Sequence, residues 1–149
     1  MPSQAKQDGT RAVLFDLDGT LADTAPDLLA ALNRLRGEQG LAALPLQTVR
    51  PYASSGARGL LQIGFDLRPE DARFEPLRDA FLDRYEAHVC VETQLFPGMS
   101  ELLEAIEQRG IRWGIVTNKS LRFTPRIVAA LGLERRAACV VCGDTTPHI

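Results

Sequence analysis

Apolar positions along this chain fall into two rhythms, and the change between them divides it. Val13-Leu14-Phe15 is a continuous apolar run, the mark of a buried strand. It stops at two carboxylates, Asp16 and Asp18, with Gly19 directly after. From there to about residue 94 the spacing is helical. Asp23-Thr24-Ala25-Pro26 offers a capping residue and an early proline, and Leu28, Leu29, Leu32 and Leu35 follow until Gly37 and Gly40 close the run. A short helix over 46–53, interrupted at Pro51, leads to a loop over 54–59 and a helix over 60–65. A long helix is predicted over 69–89, with Phe74, Leu77, Phe81, Leu82 and Tyr85 as its stripe.

After Phe96-Pro97-Gly98 strands and helices alternate. Met99, Leu102, Leu103 and Ile106 make a helical stripe closed by Gly110, and 111–116 read as a strand running into Thr117-Asn118-Lys119. A helix over 123–131 ends at Gly132, and 137–143 read as a further strand. This order implies a parallel sheet with helical crossovers. The fold class is α/β: a Rossmann-like parallel sheet over 9–22 and 95–149, with an all-helical segment over 23–94 inserted after the first strand. Leaving the sheet at its catalytic edge, that segment is placed where a lid belongs.

The two carboxylates bring chemistry. Residues two apart on extended backbone share a face, so Asp16 and Asp18 set out in the same direction. Gly19 permits a sharp turn and close approach to a bound anion. Such a pair at a strand's carboxyl end seats a hard cation such as Mg²⁺. One Asp is then able to attack phosphorus while the other shuttles a proton.

Composition narrows the partners. With 45% hydrophobic and 24% charged residues and a net charge of −2, the 149-residue chain reads as a soluble domain with no electrostatic reason to bind nucleic acid. Its first eight residues are polar, and nowhere is an apolar run long enough to cross a bilayer, so a cytoplasmic protein is expected. Three cysteines speak against a disulfide framework. Cys139 and Cys142 have C-x-x-C spacing, but on a strand they face opposite ways, so both are expected in the core rather than as a ligand pair. His88 and His148 lack ligand neighbours and are expected to be structural or superficial.

Residues 13–21, Val-Leu-Phe-Asp-Leu-Asp-Gly-Thr-Leu, resemble motif one of the haloacid dehalogenase-like hydrolases, D-x-D-G-T-L. The resemblance implies that Asp16 is the nucleophile and Asp18 the general acid and base. It also implies Mg²⁺ on the Asp16 carboxylate and the Asp18 carbonyl, with Gly19 in the phosphate site. Val116-Thr117-Asn118 resembles motif two, implying Thr117 as hydroxyl donor to a phosphoryl oxygen and Asn118 beside it. Lys119 is read as a solvated side chain. Phe96-Pro97-Gly98-Met99, Val116-Thr117-Asn118-Lys119 and Gly143-Asp144-Thr145-Thr146-Pro147-His148 are similar to the phosphoglycolate phosphatase branch. They are similar too to its relatives acting on N-acetylmuramic acid 6-phosphate. There the helical segment is a cap, and Ser55, Gly56 and Arg58 match its specificity loop, with Arg58 meeting a substrate polar group.

The implied function is Mg²⁺-dependent hydrolysis of a small phosphate monoester such as 2-phosphoglycolate through an aspartyl-phosphate. Its partner is a small phosphorylated metabolite, with neither nucleic acid nor membrane. A phosphoglucomutase-like phosphoryl transferase would keep the same motifs. The family's motif-three Lys and motif-four acids have no match up to Ile149. A sheet incomplete on its carboxyl-terminal side, with the first strand as an open edge, is therefore expected. An inactive, aggregation-prone remnant is the alternative from another class.

Overall fold

The computed structural model describes residues 9–145, so His148, Pro147 and Thr146 of the last motif lie outside the described residues. Strand β1 (Ala12–Phe15) runs into a turn made at Gly19, whose φ of +77° suits a residue without Cβ. Short β2 (Ala22–Asp23) leads into α1 (Ala25–Glu38). Next come α2 (Leu46–Val49) and a 3₁₀ helix (Arg50–Ser55) with Pro51 in its first turn, where no N–H is needed. Helices α3 (Gly56–Phe65) and α4 (Phe74–Ala87) complete the helical segment, and β3 (Gln94–Leu95) returns antiparallel to β2. The remainder alternates: α5 (Met99–Gln108), β4 (Arg112–Val116), α6 (Thr124–Ala130) and β5 (Val140–Val141). The sheet is parallel, in the order β1-β4-β5. This is the α/β fold with a helical segment after the first strand that the patterning predicts. Among the described residues, no helix is long and apolar enough to cross a membrane.

Three local expectations are corrected. Residues 54–59 are not a loop: the 3₁₀ helix reaches Ser55 and α3 begins at Gly56, so Arg58 stands on a helix's first turn. The long helix begins at Phe74 rather than 69, because Asp71 forms a tight turn ahead of it. The Asp71 carboxylate accepts the Arg68 N–H at 2.6 Å and its carbonyl accepts the Phe74 N–H at 2.9 Å. Cys139 is exposed while Cys142 is buried, so only one cysteine of the pair is in the core. The alternation of faces holds, but among the described residues β5 is an edge strand and no helix covers the face carrying Cys139.

That bare face is apolar. Leu14 pairs in register with Gly114 and is 62% exposed, and Val116 is exposed beside it. On the opposite face, Trp113 and Ile115 are buried and the rings of Phe15 and Trp113 meet edge to face. The Trp113 indole N–H donates to Glu107 of α5 at 2.9 Å.

The helical segment has its own tightly packed interior. Leu32, Leu35, Leu60, Leu61 and Phe81 are buried where α1, α3 and α4 cross, each such side chain contributing about 1.5–3 kcal/mol. Gly64 permits the α1–α3 approach, since a Cβ there would lie 2.7 Å from Leu32 Cδ1. Asn33 exchanges two hydrogen bonds with the backbone of Leu44, fastening the connector after α1.

The two halves are tied at Asp27, a buried carboxylate in the first turn of α1. It accepts the backbone N–H groups of Val91, Glu92 and Thr93 and, at 2.6 Å, the Thr93 hydroxyl. The outgoing and returning strands are therefore held together where β2 pairs with β3.

Candidate active site

A cavity of about 430 Å³ opens between the carboxyl ends of β1 and β4 and the faces of α3 and α4. Asp16, Asp18, Thr117, Asn118 and Lys119 come from the sheet side, and Ser55, Gly56 and Arg58 from the helical side. The strand ends thus bring together most of the residues singled out in the sequence.

Asp16 is exposed at the mouth. Its Oδ1 accepts the Leu17 N–H at 2.8 Å, and its Oδ2 has no donor among the described residues. Asp18 is buried, and both of its donors take Oδ1: the Thr24 hydroxyl at 2.6 Å and the Lys119 ammonium at 2.8 Å. Thr24 occupies the N-cap position of α1 but makes no side-chain cap bond, its hydroxyl being spent on Asp18.

Lys119 is not a solvated side chain. It is 8% exposed, forms an ion pair with Asp18, and sits 4.8 Å above the Tyr85 ring. The turn after β4 sets this direction. Thr117 Oγ1 accepts the Lys119 N–H at 3.1 Å, and the Gly143 N–H donates to the Lys119 carbonyl at 3.0 Å. Gly143 is required there, because a Cβ would lie 2.3 Å from the Asn118 carbonyl oxygen. Thr117 is buried and lines the cavity, while Asn118 is exposed at the rim. Gly19 is not brought into the cavity lining, and its N–H goes to the Ala22 carbonyl at 2.9 Å. His88 is bonded to Arg34 at the surface.

Tyr85 of α4 lines the cavity and was visible in the sequence only as one member of an apolar stripe. Its ring stacks on Phe81 and leans on Phe123. Burial, helped by the negative charge of Asp18, pushes its phenol far above the usual range, so it stays protonated.

Among the described residues, no three carboxylate, imidazole or thiol groups come together as a metal cluster. Beside the same cavity the Asp16 carboxylate accepts only the Leu17 N–H, and the Asp18 backbone carbonyl accepts no hydrogen bond among the described residues. Hard oxygen donors of this number suit Mg²⁺, which usually takes one or two carboxylates and completes its shell with water and substrate phosphate.

A parallel sheet with helical crossovers, paired aspartates at one strand end and a hydroxyl at the next make this an α/β protein with its polar groups gathered at one sheet edge. More narrowly, the chain belongs to the haloacid dehalogenase-like hydrolase family, whose model matches residues 13–149. It is 46% identical over 134 residues to an N-acetylmuramic acid 6-phosphate phosphatase of Pseudomonas putida, a match covering 90% of this chain and 60% of that one. It is equally 46% identical, over 135 residues, to a phosphoglycolate phosphatase of Xanthomonas campestris, covering 91% and 61%. The chain therefore spans about three fifths of the length of these curated relatives. Among solved structures, a predicted phosphoglycolate phosphatase of Haemophilus somnus superposes with a TM-score of 0.78 at 26% identity, covering 94% of this chain and 65% of the other.

Proposed function

We propose that this chain carries the nucleophilic half of a phosphatase acting on a small phosphate monoester. The observation that supports this most is the pairing at the cavity floor. Asp16 has an unencumbered carboxylate oxygen, and Asp18 is buried between the Thr24 hydroxyl and the Lys119 ammonium. In the reaction so read, Asp16 Oδ2 attacks phosphorus and the ester P–O bond breaks. Asp18 enters this step with a proton on Oδ2, taken up from solvent before substrate binds, and the departing alkoxide takes that proton, leaving an aspartyl-phosphate on Asp16. Asp18, now a carboxylate, takes a proton from water as that water attacks phosphorus. The P–Oδ bond breaks and inorganic phosphate leaves. Thr117 donates its hydroxyl to a phosphoryl oxygen, and Lys119 shares its charge between Asp18 and the phosphate. Mg²⁺, which the Asp16 carboxylate and the Asp18 backbone carbonyl would hold, would supply positive charge to the phosphoryl oxygens.

Substrate choice is assigned to the helical side. Arg58 presents a fork suited to a carboxylate or second polar group. Both 2-phosphoglycolate and N-acetylmuramic acid 6-phosphate offer one. A cavity of about 430 Å³ with an apolar wall from Phe81, Leu82 and Tyr85 favours the larger amino-sugar ester over the two-carbon acid.

The test is phosphate release from both esters in Mg²⁺ by the full chain and by Asp16→Asn. The Asn variant is expected to lose turnover by about 10⁴-fold or more while keeping its fold. Turnover near the unmodified rate would remove Asp16 as nucleophile. Transfer of phosphate between sugar hydroxyls without its release would favour a mutase-like reaction instead.

A further inference from the structure

Beside the catalytic cavity lies a second, smaller recess of about 230 Å³, lined by Arg58, Gln62, Leu67, Arg68, Pro69 and Glu70. Local sequence builds it. Arg58 and Gln62 are four residues apart on α3, so they share a face of that helix. Asp66 then ends α3 in the left-handed region at φ +53°, and the chain doubles back. Buried Leu67 anchors the return, and the Asp71 carboxylate fixes the next turn by accepting the Arg68 N–H at 2.6 Å. Arg68 and Glu70 are thereby brought to the part of α3 that carries Arg58 and Gln62.

Neither arginine is spent within the protein. Arg36, Arg50 and Arg84 of the same helical segment each donate to a carbonyl or a carboxylate. Among the described residues the side chains of Arg58 and Arg68 find no acceptor, and Glu70, though it lines the same recess, pairs with neither. Two free guanidinium groups and an amide share the recess with one carboxylate, which leaves it positive in a chain of net charge −2. Both arginines are exposed, so a ligand in the recess reaches their donors directly.

Arg58 is the one residue that lines both the recess and the catalytic cavity. No residue from the strand ends lines the recess, so a group seated there stands beyond Arg58 from Asp16 and Asp18. A ligand filling both spaces keeps its phosphate at the strand ends and a second anion well away from it. In 2-phosphoglycolate the carboxylate sits on the carbon that bears the ester oxygen, too near the phosphate to enter the recess. A sugar phosphate with a carboxylate across its ring has the reach. We propose that the recess is a carboxylate subsite in which Arg68, together with Arg58 and Gln62, binds the acid group of a phosphorylated sugar acid. The planar fork of an arginine matches a carboxylate with paired donors. This rests on the phosphatase reading above and narrows its substrate class.

Binding to the full chain carrying Asp16→Asn tests the subsite without turnover. Calorimetry at low ionic strength uses N-acetylmuramic acid 6-phosphate, 2-phosphoglycolate and N-acetylglucosamine 6-phosphate, the same sugar phosphate without the lactyl carboxylate. Adding Arg68→Gln is expected to weaken N-acetylmuramic acid 6-phosphate about 5- to 10-fold and to leave the other two within about 2-fold. Adding Glu70→Gln instead is expected to tighten that ester about 2-fold, a gain that misfolding cannot imitate. Weaker binding on Glu70→Gln overturns the recess as an anion site. An equal loss on all three esters with Arg68→Gln overturns the subsite too, because it reports a general field rather than a seated carboxylate. Unchanged binding of all three overturns it as well and leaves the phosphatase reading standing. Failure of Asp16→Asn to bind any of the three esters overturns the phosphatase reading, and the subsite with it.

Discussion

Helices α1, α3 and α4 close around Leu32, Leu60, Leu61 and Phe81 on every side, whereas the β1-β4-β5 sheet covers one face and leaves Leu14 and Val116 bare on the other. The contrast extends to the cavity between them. From the sheet come charged and hydroxylic groups at the ends of short strands: Asp16, Asp18, Thr117 and Lys119. From the helices come mainly apolar walls and a single cation, Arg58. Rigid apolar packing gives a surface with defined shape, and strand termini give backbone turns that collect polar side chains. Chemistry on one side and selection on the other is the division these two constructions imply.

Substitutions on each side can break that division. Lys119→Met keeps the stem of the side chain and removes the charge from Asp18, so kcat/KM is expected to fall about 10²- to 10³-fold, mainly in kcat. A loss confined to KM would place the sheet side in binding and undo the division. Asp27→Ala strands three consecutive amides and the Thr93 hydroxyl at the join of the halves, and is expected to cost about 3 kcal/mol of stability in a denaturant titration. Should the two halves then unfold in separate transitions, Asp27 is what makes them cooperative. Arg58→Ala is expected to raise KM for a carboxylated ester about 10-fold with little change in kcat, measured by steady-state kinetics.

The smallest effect concerns how α5 is held to the covered sheet face. Arg136, and after it the Trp113 indole N–H, hold the Glu107 carboxyl below its usual range. A lowered folded-state value stabilises above the unfolded one, and that gain is lost as pH falls through the folded value. The melting temperature should therefore exceed that of Glu107→Gln by no more than about 3 °C near neutrality, with the gap closing below about pH 4.

What the sequence made legible, and what it did not, separates by range of interaction. Strands β1 and β4 announce themselves as apolar runs, although β1 proves to have no fully buried side chain, and Asp16, Asp18 and Thr117 stand directly at their ends. Lys119 could not be assigned in this way: its partner Asp18 lies 101 residues earlier, and nothing local distinguishes an inward lysine from a solvated one. Thr24 reads as a helix cap by position, but a tertiary acceptor outcompetes the helix end. Asp27 carries no signal that it will gather amides 64 to 66 residues away. Helical periodicity locates Tyr85 on the packed face of α4 and is silent about its hydroxyl. For Cys139 the alternation of faces was sound, but which face would be covered depends on elements that the alternation does not describe.

The knot at Asp27 also bears on how the chain finds its fold. Strand β1 pairs in register with β4 across a long stretch, Ala12 against Arg112, and such distant pairing is slow to form. Once α1 and α4 have packed and Asp27 has gathered residues 91–93, the helical segment spans its own ends, and the loop left to close before β1 meets β4 is only about a third as long. Loop-closure entropy grows with the logarithm of length, so the shortcut lowers the cost of that closure by about 1 kcal/mol. Amides of α1 and α4 should accordingly gain protection ahead of those of β1 in pulse-labelled hydrogen exchange during refolding, and Asp27→Ala should delay β1 more than it delays the helices.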